Sequence, residues 1–405
     1  MRACMLALLL IGCTQPSTDR CVQVKAELDA CVGTKLPDMD CTTLSDTDIE
    51  RVHDLTTGLS CSLLAGALPL DGDYLSAVCR LADVGCVAAV TPAPTQQPAR
   101  YPILLVNGID TSSLFRYSDR IVDMMQNQGG QPVFLATLPA YQPPRTRAPL
   151  LWKRMQDVMK QTGADKVNLV CHSLGGLDCR YVGSPAGLAA DLGDTAPLSA
   201  IASITTVSTA HHGTRVADVL VGLVPSGNQA QLVTDLAAWI GDWFGPSSLT
   251  QDPQLLAALN ALTVTEASSF NAEIVDNAAI YYQSFGGVSR PRGEASLDHN
   301  AKVAALCAGG ATTIFGKQDL SRIDYMALPL QPLTAEVGEP GGAVVPNDGL
   351  VAVESAKWGH FRGCLPADHM EQLGQHGLPD ANVRNGFDIA RFYTNVAADL
   401  AAQGF

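Results

Sequence analysis

The sequence predicts an α/β domain built on a mostly parallel sheet, preceded by a small disulfide-rich helical module. Three observations carry this. From residue 101 onward, short apolar runs alternate with amphipathic segments, the pattern of consecutive strand-helix-strand units. Six of the twelve cysteines fall between Cys21 and Cys86. Between these regions stands Thr91-Pro-Ala-Pro-Thr-Gln-Gln-Pro98, whose prolines remove backbone donors and favour an extended spacer.

Residues 1–13 have the order of an export signal: Arg2, then an apolar run from Met5 to Gly12, too short to span a bilayer. The run ends in Leu10-Ile11-Gly12-Cys13, which looks like a bacterial lipobox, so Cys13 is expected to carry a lipid anchor to a membrane of the cell envelope. An ordinary signal peptide cut nearby, with plain secretion, is the alternative. Cysteine usage supports export independently, because twelve cysteines suit an oxidising compartment.

Residues 14–90 form the cysteine-rich module, with a helix-like stretch from Cys21 to Cys31. Its six cysteines permit fifteen pairings, so connectivity stays open. From Thr14 to Pro98 the chain carries twelve acidic and five basic residues, half of the overall charge of −14. That balance argues against nucleic acid or an anionic surface as a partner. With 47% hydrophobic and 16% charged residues, packed globular structure is the default. The linker is placed at 91–99 and the second domain at 100–405.

In the second domain Pro102–Val106, Pro132–Ala136 and Lys166–Val170 read as strands, and segments near Tyr117–Asn127 and Leu150–Thr162 as helices. The third strand runs into Cys171-His-Ser173-Leu-Gly-Gly176 and a helix-like segment. Strand, tight turn and helix make a nucleophile elbow, with Ser173 exposed on a strained turn. Gly175 meets the need for a small residue there, while Cys171 stands where a first glycine is usual. A nucleophilic Cys171 is a second reading, and inert packing is the expectation for Cys171 and Cys179.

Upstream, Tyr101-Pro-Ile-Leu-Leu-Val-Asn-Gly108-Ile109-Asp110 lies where a first core strand ends. With Lys166-Val-Asn-Leu-Val-Cys-His-Ser173-Leu-Gly-Gly-Leu177 and Arg180-Tyr181, the chain resembles the triacylglycerol lipases of the Pseudomonas and Burkholderia type. The resemblance implies an α/β-hydrolase fold with a mostly parallel central sheet and a serine ester hydrolase. It assigns the oxyanion to the backbone N–H groups of Ile109 and Leu174, with Asn107 at the position of the family's histidine.

The block Thr209-Ala-His-His-Gly213 resembles a family segment and makes His211 and His212 structural or pocket-lining. Val344-Val-Pro-Asn-Asp348-Gly-Leu-Val351 resembles the segment whose aspartate orients the catalytic histidine, although Asp348 also fits a plain Asp-Gly turn. Asp368-His369-Met-Glu371 stands where the family carries its general base. The order Ser173, Asp348, His369 is that of α/β-hydrolases. His360 and His376 are rival bases, and Asp368 is a rival acid.

Further expectations rest on the resemblance alone. A structural Ca2+ would be held by Asp324, Glu371 and Gln375, with oxygen ligands as a hard cation requires. Cys307 and Cys364 would pair and constrain the loop bearing His369. A folding chaperone joins the candidate partners, and no organic cofactor is implied. The insertion at about 214–270 would be a lid over the acyl site; within it Leu232, Leu236, Trp239 and Trp243 recur at helical spacing, a face that could equally pack on the core.

The expected function is hydrolysis of acylglycerol esters through an acyl-enzyme on Ser173. Alternatives on the same fold are a short-chain esterase, a polyester depolymerase, a phospholipase or an acyltransferase. A non-catalytic surface interaction protein is the alternative from another class.

Overall fold

The computed structural model describes residues 17–32, 49, 53, 91–110, 115–222, 253–290, 297–316, 330, 345–374 and 387–405. The chain divides into two units, residues 1–88 with 376–384, and residues 89–375 with 385–405.

In the first unit a helix spans Ser17–Val32. Cys21, Val24 and Leu28 are fully buried and share one helical face by their spacing. Cys21 and Cys31 are both disulfide-bonded.

The second unit is built on six parallel strands: β1 (Ile103–Val106), β2 (Val133–Ala136), β3 (Val167–His172), β4 (Ile201–Val207), β5 (Tyr281–Gly287) and β6 (His360–Leu365). Their spatial order is β2-β1-β3-β4-β5-β6. β1, β3 and β4 are buried along their whole length, which explains why β1 reads as an unbroken apolar run instead of an alternating one; in β3 and β4 the buried Asn168, Ser203, Thr205 and Thr206 interrupt the apolar residues. Successive side chains go to opposite faces. Ile103, Leu105 and Val170 join a cluster with Ile121, Phe392 and Tyr393; Leu104, Val106, Leu169 and Cys171 join another with Leu151, Met155 and Tyr181.

Four helices bear on the site: α1 (Asp119–Asn127), α2 (Pro144–Thr162), α3 (Leu174–Gly183) and α4 (Ile389–Ala402). α2 begins six residues before the expected Leu150. Pro144 occupies its first turn, where no intrahelical N–H is required, and Pro149 lies within the helix. Residues 91–99 are tied to the same unit: Asp388 N–H donates to Thr91 Oγ1 at 2.8 Å and Asn395 Nδ2 to the Pro92 carbonyl at 3.1 Å.

Because all six strands run the same way, the loops after β1, β3, β4 and β6 emerge at one edge of the sheet. That is where ligands meet open α/β sheets.

Candidate active site

β3 delivers Ser173 to this edge. Ser173 takes φ 54°, ψ −129°, a conformation that side chains avoid and that persists only when packing over-determines it. The packing is visible at two glycines. A Cβ on Gly175 would come within 2.5 Å of the Asn107 carbonyl oxygen, and one on Gly108 would lie 3.0 Å from Ser173 Cβ. The elbow and the loop after β1 therefore meet backbone to backbone.

That loop is held by Asn107, the residue in place of the family's histidine. Its Nδ2 donates to the carbonyls of Gly108 (3.1 Å) and Asp110 (3.0 Å), and its Oδ1 accepts from Leu138 N–H at 2.8 Å. Arg147, buried in α2, donates to the Asn107 carbonyl at 3.0 Å and lies 3.1 Å from Asp178 of α3. Burial pushes the Asp178 carboxyl up to about 7, with Arg147 opposing. Leu174 opens α3, where N–H groups have no intrahelical acceptor. Ile109 and Ser173 line one cavity.

Asp348 and His369 come from loops on either side of β6. His369 Nδ1 lies 2.8 Å from Asp348 Oδ2, and His369 N–H donates to the Asp348 carbonyl at 2.9 Å. Gln372 Nε2 also donates to Asp348 Oδ2 at 3.1 Å, while Oδ1 accepts from the N–H groups of Leu350 (3.1 Å) and Val351 (2.8 Å). The expected Asp-Gly turn and the partner of the histidine are thus one residue doing both. Burial alone would raise the Asp348 carboxyl, but the His369 charge and hydrogen bonds from His369, Val351 and Ser208 together hold it below the ordinary carboxylate value.

The rivals are placed elsewhere. Asp368 Oδ1 accepts from Met370 and Glu371 N–H groups, so it closes the histidine turn. His360 is exposed at the start of β6 and stacks on Tyr281. His376 lies outside the described residues.

His211 is buried, within 2.9 Å of Thr206 Oγ1 and 3.3 Å of Arg180 Nη1, and stacked on Trp358. Burial first, then the charges of Arg180 and His212, hold it well below the ordinary histidine value. With the folded value depressed, the unfolded chain binds a proton below about pH 6.5 that the folded chain does not. Stability contributed by neutral His211 is therefore lost as pH falls below that value, at up to about 1.4 kcal/mol per pH unit. Urea unfolding between pH 5 and 7 is expected to show a flatter slope in His211→Asn than in wild type; equal slopes would assign the effect to other groups.

The cavity above Ser173 and His369 is walled by Ile109, Phe115, Val216, Leu220, Leu255 and Leu259 among others. Of the expected lid residues, Leu232, Leu236, Trp239 and Trp243 lie outside the described residues. The same insertion contributes instead Val216, Leu220, Leu255, Leu259 and Leu262 to the wall, residues that no sequence signal set apart from ordinary core.

Cys307 and Cys364 form a disulfide, joining the start of the segment that follows helix Leu297–Leu306 to β6 just before the histidine loop. Cys171 and Cys179, expected as packed thiols, are joined in a second disulfide. The correction has a simple cause: α3 turns back over β3 and brings Cys179 to 6.9 Å, Cα to Cα, from Cys171, within bridging range. The bond also removes Cys171 as a free thiol nucleophile.

Asp324 and Gln375 of the calcium set lie outside the described residues, as does Cys13. Glu371 is buried and its Oε2 accepts from Asp368 N–H at 2.7 Å. Among the described residues no three His, Cys, Asp or Glu side chains gather to hold a metal. Of the expected calcium set only Glu371 is among the described residues, and no step is derived through a cation.

No family model matches the chain. It is 33% identical to a triacylglycerol lipase of Burkholderia plantarii over 343 residues, 76% of this chain and 88% of the relative. It is 33% identical to one of Pseudarthrobacter phenanthrenivorans over 339 residues, 75% of this chain and 98% of the relative. For the Vibrio cholerae triacylglycerol lipase the figures are 32% over 292 residues, 69% and 82%. The solved Staphylococcus hyicus lipase superposes with a TM-score of 0.48 at 15% identity, covering 77% of this chain and 98% of that one. With a parallel six-stranded sheet, and relatives of this identity matched over most of their length, the chain belongs to the bacterial triacylglycerol lipase family and is a lipase-type carboxylic ester hydrolase.

Proposed function

We propose that the chain hydrolyses the esters of acylglycerols, with Ser173 as nucleophile, His369 as general base and acid, and Asp348 as its orienting carboxylate. The observation that supports this most is the buried Asp348–His369 pair, whose histidine lines with Ser173 a cavity with mainly aliphatic and aromatic walls. An acyl chain is the ligand class that such walls hold. Ser173 Oγ attacks the ester carbonyl while His369 Nε2 takes its proton, and the N–H groups of Ile109 and Leu174 receive the developing oxyanion. His369 returns the proton to the leaving alcohol, and water then frees the acyl-enzyme by the same steps.

Export belongs to the same reading, supported by the disulfides of the second unit, with Cys13 as the anchor. Among the described residues no helix is long and apolar enough to cross a membrane.

The test is hydrolysis of p-nitrophenyl esters of rising chain length and of emulsified triacylglycerol, with a fluorophosphonate labelling the nucleophile. Rising kcat/KM toward long chains, release of fatty acid from the emulsion and label on the Ser173 peptide are expected. Activity confined to acetyl and butyryl esters would make the chain a short-chain esterase.

A further inference from the structure

The nucleophile elbow of this chain is enclosed in a covalent ring. Cys171 is the penultimate residue of β3 and Cys179 lies in the middle of α3, eight residues on, and their disulfide encloses residues 172–178, Ser173 and Leu174 included. Both sulfur-bearing residues are fully buried, in the cluster beneath α2 with Val106, Leu151 and Met155. At the position of Cys171 a helix crowds the strand so closely that a small residue is usual; here the side chain that fills the space is bonded to that helix.

We propose that the Cys171–Cys179 disulfide is a positioning device for catalysis: it fixes the first turn of α3 against the end of β3, and with it both Ser173 Oγ and the Leu174 N–H. This rests on the reading of Ser173 as nucleophile. Ser173 at φ 54° is held in a conformation that side chains avoid, so opening the ring removes one of the restraints that keep the turn from relaxing. Relaxation by even ~1 Å costs on the order of 10²-fold in rate when it moves a reacting atom. The burial of both cysteines keeps reductants away from the folded protein, so the bond is a permanent clamp and not a redox switch.

The experiment compares wild type with Cys171→Gly/Cys179→Ala and with Cys171→Ala/Cys179→Val, which refills the volume of the sulfurs. Activity is read well below each variant's Tm. Expected are a fall of about tenfold in kcat and in the rate of fluorophosphonate inactivation, with KM within about twofold. Unchanged kcat with a lower Tm would reduce the bond to a structural staple, as would failure of both variants to fold. Free thiols at both positions, found by alkylation and mass spectrometry of native wild type, would remove the clamp itself. Ester hydrolysis undiminished in Ser173→Ala is a separate outcome, which would overturn the nucleophile and leave the disulfide unjudged by activity; the thiol measurement judges it still.

Discussion

Ser173→Ala is expected to lower kcat for every ester substrate by roughly 10⁶-fold, the scale on which loss of a triad serine is felt. The residual rate should still exceed that in water, because the backbone donors proposed at Ile109 and Leu174 and the apolar cavity remain. The fold should not suffer. Alanine keeps Cβ and therefore the same backbone preferences at φ 54°, and the restraints on the elbow, namely the packing at Gly108 and Gly175, the 2.8 Å hydrogen bond from Thr209 Oγ1 to the Ser173 carbonyl and the Cys171–Cys179 bond, are untouched by the change. A Tm within about 2 °C of wild type, beside abolished hydrolysis, is the expected pair of results. Retained activity above about 1% would require another nucleophile, and the nearest candidate in sequence, Cys171, is bonded to Cys179.

Part of this site is legible in the sequence because local chemistry specifies it. β1 and β3 are buried along their whole length and carry mostly apolar residues, and the elbow needs a strand, a serine and glycines in immediate succession. The start of α2 is not legible, since Pro144 and Pro149 obscure the period that Leu151, Met155 and Val158 carry. Asp348 is ambiguous for a physical reason: Asp-Gly is a sound turn in its own right, and Oδ1 does make that turn with Leu350 and Val351. Only the fold brings Oδ2 to a histidine twenty-one residues on. Gln372 and Ser208 give no signal at all. An interior amide and a strand-end serine have many uses, and their contacts with Asp348 are set by how three loops meet.

Asp348→Asn is expected to lower kcat on the order of 10⁴-fold, with a much smaller effect on KM. In the proposed mechanism Asp348 Oδ2, 2.8 Å from His369 Nδ1, accepts its proton and so selects the neutral tautomer in which Nε2 is the acceptor for Ser173. An asparagine whose Oδ1 still serves Leu350 and Val351 must turn its amide toward His369, a donor against a donor, and the imidazole is then held in the wrong tautomer. Gln372 Nε2, already directed at the same oxygen, would face that amide too and cannot substitute as acceptor. The wild-type carboxyl is depressed in the folded state, so its contribution to stability is present above the unfolded value near 3.9 and is lost as pH falls through the folded one. The substitution therefore removes a contribution that acts at neutral pH, and acid unfolding of the variant should show a shallower pH dependence than wild type below about pH 4. Asp368→Asn is the control: its Oδ1 accepts backbone N–H groups of the turn, a role the amide oxygen can keep, and kcat should stay within about threefold. A variant pair with the reverse ranking, Asp368→Asn inactive and Asp348→Asn active, would move the orienting carboxylate from one side of His369 to the other.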